Sequence, residues 1–169
     1  MATREQDHLL AIYLNDHLAG ATAGVELIGR LSRTDGELSG LAAEIRDDRG
    51  ALLRAMGRLG IRPNQLKIAA GWVAEKAGRL KPNGSVLRRS PLSTVSEVEV
   101  MMLGVRGKAA GWRTLHAIAE HDDRLDADEF TQLMASADDQ LEVLESFRVA
   151  AVAQALAAPA GKSDVDEST

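Results

Sequence analysis

Apolar residues recur every three or four positions along four long stretches of the chain, and this spacing predicts four amphipathic helices. Short segments rich in turn-forming residues separate the first helix from the second and the third from the fourth, so each pair is expected to pack as an antiparallel hairpin. The predicted helices cover about residues 6–32, 37–59, 94–121 and 126–156.

Local signals predict where several of these helices begin and end. Gly60, in the segment GIRPN, is a predicted C-terminal cap for the second helix. Ser93 or Thr94 is the predicted N-terminal cap of the third helix, and Asp126 or Asp128 that of the fourth.

The stretch between the second and third helices breaks the long helical pattern. Residues 65–81 predict a short amphipathic helix, and the following segment PNGSVLRRSPLST is rich in turn residues. A connection of this length can carry the chain back along a whole hairpin, which would make the second and third helices parallel. The predicted architecture is therefore all-α: two antiparallel hairpins joined by a long crossover that contains a short extra helix.

Composition supports a helical domain and excludes several kinds of site. Hydrophobic residues make up 45% of the chain but aromatic residues only 3%, so the core must be built mainly from aliphatic side chains and Ala. The absence of cysteine excludes thiolate catalysis and Cys-ligated metal sites. We expect one helical domain over residues 1–157, followed by a disordered acidic tail over residues 158–169.

The charge balance bears on partners and location. A net charge of −5 argues against broad nucleic-acid binding, which needs surfaces rich in Lys and Arg. No stretch approaches the ~20 apolar residues of a membrane-spanning helix, and the N-terminus lacks the apolar run of a signal peptide. We therefore expect a cytoplasmic protein with no membrane partner.

The second helix and its exit, AEIRDDRGALLRAMGRLGIRPN, resemble the second helix of ferritin-like proteins of the bacterioferritin and rubrerythrin type. In that family Glu-x-x-His is followed by an amphipathic stretch that ends in a turn with Gly, an apolar residue and Pro. Glu44 falls in the glutamate position of this motif and Asp47 in the histidine position. The fourth helix, SADDQLEVLESF, is similar in outline to its counterpart. The resemblance implies a ferritin-like four-helix bundle.

A di-iron centre of that family needs a carboxylate from each of two helices and Glu-x-x-His from each of the other two. The one Glu-x-x-His of this chain, from Glu5 to His8, does not coincide with the ligand positions of the family, because none of the four histidines falls in such a position. The resemblance therefore implies a member that lacks the di-iron ligands and needs no cofactor. The alternative is iron or manganese held by Glu44 and Asp47. The remaining ligand positions of the family fall near Thr22, Gly104, Ala137 and Gln140.

Asp48 occupies a position of the second helix where the periodicity predicts an apolar residue. A carboxylate that points into a core must be paired or must have a raised pKa. Lys108 is the one charged residue on the apolar stripe of the third helix. If Glu44 is level with Gly104, as the resemblance implies, parallel packing brings Lys108 level with Asp48. His17 of the first helix would reach nearly the same height. We therefore expect an interior polar layer of Asp48, Lys108 and His17 in place of a metal site.

Three interpretations of function follow, and no catalytic motif selects an enzyme among them. The first is a non-enzymatic bundle with a structural, stress-related or partner-binding role, as a homodimer. The second is a metal-binding protein that oxidises or stores iron through atypical carboxylate ligands. The third is a small-ligand site between helices, for which the sequence names no ligand. Gly20, Gly24 and Gly29 of the first helix are expected to permit close approach of another helix.

Overall fold

In a computed structural model, residues 2–64 and 91–157 of the chain are described. This part is all-helical, which confirms the predicted all-α class. The predicted crossover helix, residues 65–81, and the predicted tail, residues 158–169, lie outside the described residues. The elements are α1 (Ala2–Thr34), a 3-10 turn (Gly36–Leu38), α2 (Ser39–Arg58), α3 (Pro91–Ala119) and α4 (Ala127–Ala157). None of these helices combines the length and apolar composition that crossing a bilayer requires.

The C-terminal end of α2 forms as predicted. Gly60 adopts φ +73°, a left-handed conformation that glycine enters without a steric penalty. Its N–H donates to the Gly57 carbonyl at 3.1 Å, and the next N–H, of Ile61, donates to the Met56 carbonyl at 2.9 Å. This pair of bonds is a Schellman motif, which satisfies carbonyls at the helix end that have no partner within the helix.

The predicted N-terminal cap is correct for α4 and wrong for α3. The Asp126 carboxylate accepts the backbone N–H of Asp128 at 3.0 Å, so Asp126 is the cap of α4. The prediction of Ser93 or Thr94 as the cap of α3 is wrong, because α3 already includes Pro91. Proline is well tolerated in the first turn of a helix, where its missing N–H would have no partner within the helix.

Contacts between the helices give their relative directions. Four pairs of neighbouring helices run antiparallel, because residue numbers rise along one helix as they fall along the other. These pairs are α1 with α2, α1 with α3, α2 with α4, and α3 with α4. Because α2 and α3 both run opposite to α1, they run parallel to each other. The paired positions are Thr22–Arg49, Asn15–Arg62, Gly24–Met101, Tyr13–Thr114, Arg58–Glu129, Asp48–Gln140, Glu99–Arg148 and Lys108–Gln140.

The apolar faces of the helices meet in two buried clusters, and all four helices contribute to each. One cluster contains Ile28, Ile45 and Val105, and the other is built around Phe130 and Trp112. Most of the buried side chains are aliphatic, as the low aromatic content predicted. Along α2 and α3, the residues between these clusters include the buried polar positions that form the candidate site.

Candidate functional site

A buried ion pair joins α2 to α3. Asp48 is only 6% exposed, because the apolar stripe of α2 that carries Leu41, Ile45 and Leu52 turns it inward. Its carboxylate contacts the Lys108 ammonium, whose side chain is 16% exposed. The structure thus places two of the three residues of the predicted polar layer in direct contact.

Gln140 of α4 completes this layer, and it was not among the residues predicted for it. Its side chain is 1% exposed. The amide oxygen accepts a hydrogen bond from Lys108, and the amide N–H group donates to Asp48 at 3.1 Å and to Glu44 at 3.3 Å. Its position on the apolar stripe of α4, between Ala137 and Leu144, is the signal that could have found it.

The electrostatics of the layer depend on the pair being kept together. Burial lowers the pKa of the Lys108 ammonium from its ordinary value, and the neighbouring Asp48 carboxylate opposes that shift through its charge and hydrogen bond. Glu44 opposes it more weakly, through its charge. Without Asp48, the Lys108 ammonium would still be desolvated, and less negative charge would offset that cost.

His17 lies beside the layer but outside its hydrogen bonds. The imidazole is half-buried and packs edge-on against the Tyr13 ring, with 4.5 Å between the ring centroids. It also lies over Gly111, where an added Cβ would sit 3.1 Å from two atoms of the ring. Within the described ranges, His17 forms no hydrogen bond with Asp48 or Lys108. It therefore shares the cavity described below with these residues, but not their hydrogen-bond network.

We expect His17 to make the protein less stable as the pH falls. Burial lowers its pKa below the ordinary value of 6.5, and the Asp16 charge offsets this only in part. Between the lowered pKa and 6.5, the unfolded chain therefore binds more protons than the folded chain, so the free energy of unfolding decreases as the pH falls through this window. Urea unfolding of the wild type and His17→Gln between pH about 7.5 and 5.5 measures the effect. A wild-type-to-variant difference that stays constant across this range would contradict it.

Glu44 and Asp47, the candidate metal ligands, lie one turn apart on the exposed side of α2. Glu44 accepts the Gln140 hydrogen bond through one carboxylate oxygen. In residues 2–64 and 91–157, no group of three or more His, Asp and Glu side chains is placed to hold a metal ion. Binding of a cation by these two carboxylates alone stays a prediction.

The side chains at the family's remaining ligand positions do not fit a di-iron centre. The Thr22 hydroxyl donates to the Leu18 carbonyl at 2.8 Å and accepts from Arg49 at 3.0 Å. Gly104 has no side chain, and the positions on α4 supply a methyl group and an amide in place of a carboxylate and an imidazole. The Lys108 ammonium also brings a positive charge to the space that a cation would need.

A cavity of about 420 Å³ lies between α1, α2 and α3. Most of its wall is apolar, and Asp48, Lys108 and His17 contribute polar atoms to it. Gly20 and Gly104 are exposed residues on opposite helices that both line the cavity, so it reaches the surface between α1 and α3. Its volume falls within the range of roughly 300–1,000 Å³ that is common for small-molecule sites.

Glycines on the two facing helices create much of this space, and the prediction that α1 glycines permit close helix packing is wrong within the described residues. A Cβ added at Gly20 would meet nothing within 4 Å, and one at Gly29 would meet only Arg33 of its own helix. A Cβ at Gly24 would make ordinary van der Waals contact with Met101 at 3.5 Å. On α1, small residues therefore leave a gap.

Trp112 forms part of the cavity wall and has one unsatisfied polar atom. The residue is 2% exposed, and its indole ring stacks on Phe130 with 6.2 Å between the ring centroids. The indole N–H has no hydrogen-bond partner among the described residues. Buried N–H groups are nearly always paired, so an unpaired donor at this position is unusual.

The chain matches no protein-family model, no curated protein and no solved structure. Assignment of a family and a function therefore depends on the residues and their geometry.

Proposed function

We propose that this protein is a ferritin-like four-helix bundle in which an internal ion pair replaces the di-iron centre, and that it is a non-enzymatic binding protein. Two antiparallel hairpins with α2 parallel to α3 are the arrangement expected of a bundle with one long crossover. The connection between α2 and α3 is long, whereas the other two connections are short. The resemblance of the α2 sequence to the family agrees with this arrangement.

One observation carries the proposal: the Lys108 ammonium lies between the side chains of Asp48 and Gln140 in the interior. A lysine there neutralises the buried carboxylate with a positive charge that is covalently part of the chain. At the family's other ligand positions, Gly104 and Ala137 have no polar side chain and Gln140 has a neutral amide. None of these three residues supplies an anionic ligand. Charge pairing and packing therefore hold this interior together, and among residues 2–64 and 91–157 no group of three or more His, Asp and Glu side chains is placed to hold iron.

The binding role that we propose includes self-association as a homodimer in the cytoplasm, with a structural or stress-related purpose. Exposed apolar side chains on α3 and α4 support association with a second copy. Val100 and Leu103 are 57% and 65% exposed on α3, and Val149 is 54% exposed on α4. The net charge of −5 favours a protein partner over nucleic acid.

Metal analysis of the purified protein, followed by addition of ferrous iron in air, tests the proposal. We expect iron below one equivalent per chain and oxidation no faster than in buffer alone. The matched control is the double substitution Glu44→Gln with Asp47→Asn. It should leave the iron content and the oxidation rate unchanged. Stoichiometric iron and rapid oxidation that this double substitution abolishes would establish the alternative, a metal-binding protein with atypical ligands.

A further inference from the structure

Three glycines of the cavity wall, Gly20, Gly104 and Gly107, have no packing explanation within the described residues. A Cβ at Gly104 or Gly107 of α3 would meet nothing within 4 Å, and the same holds for Gly20 of α1. A glycine in the interior of a helix is less favourable than alanine. These residues keep open a space that alanine or larger side chains would fill, at a cost in helix stability.

The polar atoms of the wall that remain available are mainly donors. Lys108 uses two of its three N–H groups on Asp48 and Gln140, which leaves one N–H group of the ammonium. Arg49 also lines the cavity; its Nε is bonded to Thr22, and within the described ranges its guanidinium pairs with no carboxylate.

The two carboxylates on the wall do not balance these donors. Asp48 already accepts hydrogen bonds from Lys108 and Gln140. Asp16 is exposed, on the solvent side of α1. The cavity therefore offers apolar walls together with unused N–H groups on two cationic side chains, those of Lys108 and Arg49. A ligand that complements this wall has an apolar body and an anionic oxygen group.

We propose that this cavity binds a small amphiphilic carboxylate, such as a medium-chain fatty acid. Its alkyl chain lies along the glycine-lined gap between α1 and α3, and its carboxylate accepts hydrogen bonds from Arg49 and Lys108. Both side chains line the cavity and carry a positive charge. The cavity follows α1 from Tyr13 to Gly24, which is about 16 Å at 1.5 Å per residue and accommodates an extended chain of this kind.

Calorimetric titration of the full-length protein with decanoate, decanol and decylammonium tests the ligand class. We expect one decanoate per chain, decanol weaker by about tenfold or more, and no saturable binding of decylammonium. Arg49→Met should weaken decanoate binding by about tenfold, because it removes charged N–H donors to the carboxylate. Equal affinity for decanol and decanoate would overturn the carboxylate assignment.

Cavity-filling variants test the location. Gly104→Leu should abolish decanoate binding, and Gly20→Leu should do the same from the opposite wall; circular dichroism establishes that each is folded. Gly40→Leu is the matched control, because Gly40 is exposed, has nothing within 4 Å of an added Cβ and does not line the cavity. Decanoate binding that persists in either folded cavity variant, or absence of binding to the wild type, would overturn the site. The iron assay described above does not depend on whether decanoate binds, so failure of this proposal can be distinguished from failure of the proposed function.

Discussion

Replacing Lys108 with methionine is expected to lower the free energy of unfolding by about 3–5 kcal/mol, the usual cost of removing one partner of a buried ion pair. Met preserves the length and apolar stem of the side chain but leaves the Asp48 carboxylate, 6% exposed, without its positive partner. Gln140 keeps its donor bond to Asp48 but loses the hydrogen bond to its own amide oxygen. Urea unfolding at neutral pH measures the change.

The double variant Asp48→Leu with Lys108→Met separates loss of pairing from loss of packing. Apolar replacement of a whole buried pair is often neutral or stabilising, by about 1–4 kcal/mol. The double variant should therefore recover most of the stability that Lys108→Met loses. If the two substitutions instead lower stability additively, the side chains are not coupled and the ion pair is not what holds α2 to α3.

Replacing Phe130 with alanine should also cost about 3–5 kcal/mol. The side chain is fully buried, it belongs to the same cluster as Leu14 and Met56, and it stacks on Trp112. Because it supports Trp112 in the wall of the cavity, the truncation removes packing behind the proposed ligand site as well as apolar burial.

Phe147, the other phenylalanine of the chain, provides the control for this prediction. It is half-buried at the edge of the first cluster, so Phe147→Ala should cost clearly less. Thermal or urea unfolding of both variants gives the comparison. Equal losses would show that the cluster around Phe130 is no better packed than the edge of the molecule.

The periodicity of apolar residues was sufficient to predict the all-helical class, because burial of one face dominates helix formation in a chain with so few aromatic residues. The caps at Gly60 and Asp126 were predictable for a related reason: each needs one residue type at one backbone position. Asp48 and Lys108 could be identified because each interrupts an apolar stripe, and parallel helices place them at the same height.

Other features depended on distances that the sequence does not contain. Gln140 also interrupts an apolar stripe, yet its part in the layer depends on the separation of α4 from α2 and α3. The α1 glycines were predicted to bring helices together, but the same residue type also permits a gap. Only the distance from Gly20 to its neighbours separates these two outcomes. His17 was placed at the correct height, but its ring turns toward Tyr13 and Gly111.

The most direct test of the internal ion pair is a crystal structure of the protein soaked in manganese or ferrous iron, with anomalous diffraction data. We expect the Lys108 ammonium between Asp48 and Gln140, and no anomalous peak in the interior between α2, α3 and α4. A strong interior peak coordinated by Glu44 and Asp48, with the Lys108 side chain turned away from Gln140, would contradict the account.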